Sequence, residues 1–161
     1  YLSTGNHAAK LLAEGTNTEC DITYDLEYAY LEQLALKGHA ESRLTMTTRD
    51  GGLNCHFSGA ETQVQRWIKS GELSREDIAR EVYDLLARTV SRMICAGAEK
   101  TGIGQVLIAG GVSSSALFRE LVTERIRKRD RNLHVCFGKP EYSGDNAVGV
   151  ALLGLEKLQG G

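Results

Sequence analysis

Beyond residue 50, the hydrophobic and polar positions of this chain alternate between short apolar runs and longer helical stripes. Residues 53–57 (LNCHF) predict a short strand, and SGAETQVQRWIKSG predicts a helix beginning near Ser58. Ser74-Arg75-Glu76-Asp77 has the form of a capping box, with a hydroxyl and an acidic residue three positions apart serving one helix N-terminus. The helix it opens carries Ile78, Val82, Leu85, Leu86, Val90, Met93 and Ile94 at the 3.6-residue spacing of a buried face, and Gly102 and Gly104 close it. Residues 105–109 (QVLIA) are a continuous apolar run, the pattern of a strand buried on both faces. Gly110-Gly111 leads into a helix capped by Ser113, Ser114 or Ser115 and running to about residue 129. Residues 133–137 predict another strand. After Pro140 a last helix is expected over about residues 145–158, carrying Val148, Val150, Leu152, Leu153 and Leu155.

The order strand, helix, strand, with a helix of that length, calls for a right-handed crossover between parallel strands. The fold class is therefore α/β, and 161 residues suit a single domain or lobe spanning 1–161. Residues 1–50 are less legible. Residues 25–37 predict a helix and Thr45–Thr48 a strand, while the opening YLSTGNHAAKLLAEGTN follows no single pattern.

Composition narrows the classes. Nineteen basic against twenty-one acidic side chains give a formal charge of −2, so no global field draws the chain to nucleic acid or anionic lipid. No apolar run approaches a membrane span, and no signal-peptide pattern opens the sequence. Eighteen glycines against one proline raise the expectation that loop segments are missing from the chain, within residues 1–50. Cys20, Cys55, Cys95 and Cys136 stand 35, 40 and 41 positions apart with no zinc-type spacing. They are expected to be buried free thiols in a reducing, cytoplasmic setting.

Three strand-to-helix turns are candidates for chemistry. In LIAGGVSSSALFRE, glycines let a ligand approach the backbone, and the helix N-terminus offers N–H groups and a positive dipole end to a phosphate or ribose. A serine-capped turn needs the same residues for purely local reasons. In PEYSGDNAVGVALLG, Asp145 and Asn146 lie just past a strand end, where parallel sheets place their ligand crevice. Asp145 could offer a metal a hard oxygen donor, or simply cap the helix. CHFSGAET repeats the logic through Ser58-Gly59, with Glu61 suited to the helix dipole. The basic cluster Arg119, Arg125, Arg127, Lys128, Arg129 and Arg131 has the charge of a tRNA-binding patch. Interspersed Glu120, Glu124 and Asp130 favour a solvated helix end instead.

Taken in order, Phe57-Ser58-Gly59 with Thr62, Asp77-Ile78-Ala79, Ala109-Gly110-Gly111-Val112 with Arg119, and Asp145-Asn146-Ala147 with Ala151 resemble the C-terminal half of the TsaD/Gcp family. This is the threonylcarbamoyltransferase group long described as O-sialoglycoprotein endopeptidases or glycoproteases. The resemblance runs over about residues 31–158. It implies the ribonuclease-H-like lobe of an actin/Hsp70/sugar-kinase fold, whose two lobes clasp a nucleotide. It also implies binding of ATP or a threonylcarbamoyl-adenylate and a divalent metal (Fe, Zn or Mg), transfer to an adenosine of tRNA, and work with protein partners.

Position by position, Gly110, Gly111 and Val112 match the family's nucleotide-binding Gly-Gly-Val turn. Ser58, Gly59 and Thr62 match its Ser-Gly-Leu-Lys-Thr turn, Asp145 its metal-ligand aspartate, and Asn146 the residue beside that. Glu61 stands where the family has lysine, and Ser115 where its nucleotide motif has asparagine. The family's His-x-x-x-His metal pair has no counterpart, since no two of His7, His39, His56 and His134 lie four apart. Members are longer, so the resemblance implies a first lobe outside this sequence and an isolated lobe without activity. A face that normally meets that lobe would also favour self-association. The other reading is a non-catalytic paralogue acting as a structural or regulatory partner. A sugar-kinase lobe has only shared architecture behind it, and protease activity has no HExxH motif or nucleophile–base pair.

Overall fold

A computed structural model of the chain describes residues 24–139. Within them the order is α1 (Tyr24–Lys37), β1 (Thr47–Arg49), β2 (Asn54–His56), α2 (Ser58–Ser70), α3 (Arg75–Thr101), β3 (Gln105–Ile108), α4 (Ala116–Arg129) and β4 (His134–Phe137). β1 and β2 form an antiparallel pair, with Thr48 opposite Cys55. β3 and β4 form a parallel pair, with Val106 opposite Val135 and Ile108 opposite Phe137. The β3–α4–β4 crossover and the α/β class agree with the sequence pattern.

α3 is the centre of the described part. Ser74 caps it by accepting from the Asp77 N–H, and Gly102 ends it in the left-handed conformation at φ 71°. Between Ile78 and Ala87 nearly every side chain is buried, because α1, α2 and α4 all pack against this helix. From α1 come Leu31 and Ala35, and from α4 Leu117, Phe118, Leu121, Val122 and Ile126. In α2 the buried residues are Ala60, Val64 and Trp67, one stripe at i, i+4 and i+7.

Two expectations need correction. β3 is not buried on both faces. Its exposure alternates, Val106 and Ile108 packing on the core while Leu107 is 68% exposed. α3 and α4 cover one face of the parallel pair, and among the described residues the Leu107 face is open. Nor are the described thiols buried: Cys136 is exposed on that open face, and Cys55 and Cys95 are half-buried, all three free, while Cys20 lies outside the described residues.

A polar strap also crosses α3. Residues 38–44 lie along a line of charged side chains spaced by four, three and four positions. Asp77 Oδ1 accepts from the His39 N–H at 2.8 Å. Glu81, 1% exposed, accepts from the N–H groups of Glu41 (2.6 Å), Arg43 (2.9 Å) and Leu44 (3.4 Å). Asp84 accepts from the Ser42 hydroxyl at 2.9 Å, from Arg88 Nε at 2.7 Å and from Arg125 Nη2. Arg88 Nη2 in turn donates to the Leu44 carbonyl at 2.6 Å. Gly38 allows the strap to reach this line, since a Cβ there would stand 1.9 Å from the Glu76 carbonyl oxygen.

Candidate nucleotide site

The Gly-Gly-Val turn follows the C-terminal end of β3, where the parallel register stops. The last link to β4 is the Gly138 N–H donating to the Ile108 carbonyl at 2.8 Å. Gly110 then adopts φ 119° and ψ 164°, a conformation that L side chains rarely adopt. The bend leads into a short 3-10 turn, Gly111–Ser114, before α4 begins. Ser113 donates through both its N–H (2.9 Å) and its hydroxyl (2.7 Å) to the Gly110 carbonyl, and the Ser115 N–H donates to the Val112 carbonyl at 3.2 Å. Val112 is buried and anchors the turn in the core. Among the described residues, a Cβ at Gly110 or at Gly111 would meet nothing within 4 Å, so they leave the outer side of the turn open.

Of the three candidate serines, Ser115 is the cap. Its hydroxyl accepts from the Phe118 N–H at 3.1 Å. The neighbouring donor is engaged too, because Glu32 of α1 accepts from the Leu117 N–H at 2.7 Å. This corrects the expectation that the first turn of α4 offers free N–H groups. Two of its amides are held by side chains of the protein itself, and the open backbone lies one step earlier, at Gly110 and Gly111. Glu32 had no signal in the sequence, being one of several acidic residues on an unexceptional helix 85 positions away.

Ser58 and Gly59 open α2 directly after β2. The N-cap position is Phe57, which supplies no side-chain hydrogen bond, so Ser58 is the first helical residue rather than its cap. Thr62, its partner in the motif, donates to the Ser58 carbonyl at 3.0 Å within the helix. Asp145 and Asn146 lie outside the described residues.

The basic cluster divides. Arg119 donates to backbone carbonyls, Arg125 pairs with Asp84, and Lys128 pairs with Glu124 at 2.6 Å. Glu124 is held below the ordinary glutamate range by the Lys128 ammonium that donates to it. Arg127, Lys128 and Arg131 border a shallow hollow of about 750 Å³ with Ile126, Leu133 and His134. That hollow sits at the C-terminal end of α4 and the start of β4, the opposite end of the strands from Gly110. Its mixed apolar and charged lining fits the solvated helix end better than a phosphate track.

Among the described residues, no three His, Cys, Asp or Glu side chains come together as a metal site, so these residues do not by themselves fit the metal that the resemblance implies. No helix among them is long and apolar enough to cross a membrane. Compared with known families, residues 8–152 match one described as TsaD, tRNA N6-adenosine threonylcarbamoyltransferase. The match starts well before residue 31, where the sequence motifs become legible, and takes in residues 8–50, much of which composition and periodicity left unassigned.

Proposed function

The chain belongs to the TsaD family, tRNA N6-adenosine threonylcarbamoyltransferase, and we propose that it supplies the Gly-Gly-Val side of an adenine-nucleotide site on the ribonuclease-H-like lobe of an actin-type fold. The observation that carries this reading is the turn itself. Gly110 holds a backbone conformation suited to glycine, and open space lies beside both Gly110 and Gly111, at the carboxyl end of a parallel strand pair. This is the side of such sheets on which ligands bind. A nucleotide would approach along the Gly110–Gly111 backbone, and Val112 and Ser115 would hold the turn from within, by core packing and by capping α4. Ser58 and Gly59 would present the second turn. Asn146 and the metal ligand Asp145 would follow β4, as the resemblance implies. ATP or an adenylate would supply the activated group for transfer to tRNA, in a cytoplasmic setting and with a first lobe or a partner protein completing the crevice.

A second reading has its own support. Glu61 reverses a charge where the family carries lysine, which favours a non-catalytic paralogue that keeps the fold and acts as a partner.

Calorimetry with ATP and Mg²⁺ separates the readings. Gly111→Arg is the informative variant, because its Cβ would meet nothing within 4 Å among the described residues and its side chain would occupy the approach to the turn. The nucleotide reading expects binding by the wild-type chain and none by the variant at unchanged Tm. Equal binding by both would overturn it and leave the partner reading in front, as would binding by neither once the first lobe or partner that completes the crevice is supplied.

A further inference from the structure

Arg119, in the first turn of α4, reaches in two directions. Its Nε donates to the Ser113 carbonyl at 2.5 Å, inside the 3-10 turn that follows Gly110. Its Nη2 donates to the Gly138 carbonyl at 2.7 Å, on the segment leaving β4. The guanidinium lies over Phe137, 5.2 Å from the ring centroid, within range of a cation–π contact. The strand ladder has already ended at Ile108 and Gly138, so beyond it this one side chain ties the turn after β3 to the chain after β4.

We propose that Arg119 is the positioning residue of the Gly110–Val112 turn, fixing its height and orientation against the end of β4. The proposal rests on the reading of that turn as a nucleotide site. The requirement is for arginine specifically. A planar fork with several donors can serve two carbonyls in divergent directions while its face covers an aromatic ring, whereas an ammonium is a point donor that reaches one of them. The same geometry explains why Arg119 is not a phosphate ligand: the donors described are aimed at main-chain oxygens and the flat face is against Phe137.

The test uses the whole chain and its Arg119→Ala and Arg119→Lys variants. Amide exchange is followed at Ser113, Ser115 and Gly138, whose N–H groups are hydrogen-bonded around the clamp, and at Val82–Leu86 in the middle of α3. Arg119→Ala should exchange at least tenfold faster at the three clamp amides with α3 unchanged. It should also bind ATP–Mg²⁺ about tenfold more weakly, the worth of one charge-assisted hydrogen bond. Added methylguanidinium should restore both, and Arg119→Lys should fall between. Unchanged clamp amides, equal acceleration across α3, or failure of methylguanidinium to restore protection would overturn the assignment. A wild-type chain that takes up no ATP would remove the nucleotide reading alone, and the exchange measurement would still decide whether Arg119 holds the turn.

Discussion

The buried carboxylate of Glu81 gives the sharpest stability prediction. Its two oxygens divide the strap between them: Oε1 accepts from the Glu41 N–H at 2.6 Å, while Oε2 accepts from Arg43 at 2.9 Å and more weakly from Leu44 at 3.4 Å. Glu81→Gln keeps the shape but replaces one oxygen with an amide NH₂. Either orientation of that amide sets a donor against a backbone donor and removes the charge that strengthens the remaining bond. Hydrogen bonds to a charged group contribute roughly 1.5–3 kcal/mol each. The Glu41 and Arg43 end of the strap is exposed, so water can recover part of the loss. The expected cost is about 2–3 kcal/mol, which in a chain of this size lowers Tm by roughly 4–12 °C. Urea denaturation measures it directly, with exposed Glu99→Gln as a control expected within about 0.5 kcal/mol of wild type. Exchange at the Glu41, Arg43 and Leu44 amides should quicken in the same variant. A Glu81→Gln protein as stable as the control would refute the claim that this carboxylate holds the strap.

Two more predictions concern the same strap. Gly38→Ala places a methyl 1.9 Å from the Glu76 carbonyl oxygen, so the strap has to lift. A loss of about 1–3 kcal/mol is expected, as for other overpacked sites, and a neutral variant in the same denaturation assay would contradict the close approach. Asp77 is held below the ordinary aspartate range, first by the His39 backbone N–H and then by the Ser74 hydroxyl. Its contribution is therefore fully present above the unfolded-state pKa near 4 and is lost as pH falls through the lower folded value. Asp77→Asn should flatten the decline of Tm with pH below about pH 4, and an unchanged acid slope would count against the interaction.

The elements that were legible in the sequence are those with local causes. Ser74 and Asp77 announce the start of α3, Gly102 ends it, and the turn through Ser58-Gly59 marks the start of α2. The Gly-Gly-Val turn was legible because only glycine suits the conformation at Gly110. What escaped was set by partners far along the chain. Glu81, Asp84 and Arg88 gave no signal in the sequence, since nothing local says that residues 38–44 will lie across them. Glu32 reaches an amide in another helix, and Arg119 reaches one carbonyl after β3 and one after β4. The apolar run at residues 105–109 overstated the burial of β3, because hydrophobicity alone does not say which face α3 and α4 cover. The basic cluster likewise loses its meaning as a patch once Arg119, Arg125 and Lys128 are seen to be engaged.

The central claim, that this TsaD-family chain holds an adenine nucleotide at the Gly110–Val112 turn, is tested most directly by amide-resolved NMR during titration with ATP and Mg²⁺. The account predicts saturable changes centred on Gly110, Gly111 and Val112 that vanish in Gly111→Arg. Changes centred instead on Arg127, Arg131 and His134, at the other end of the strands, or no saturable change at all, would contradict it.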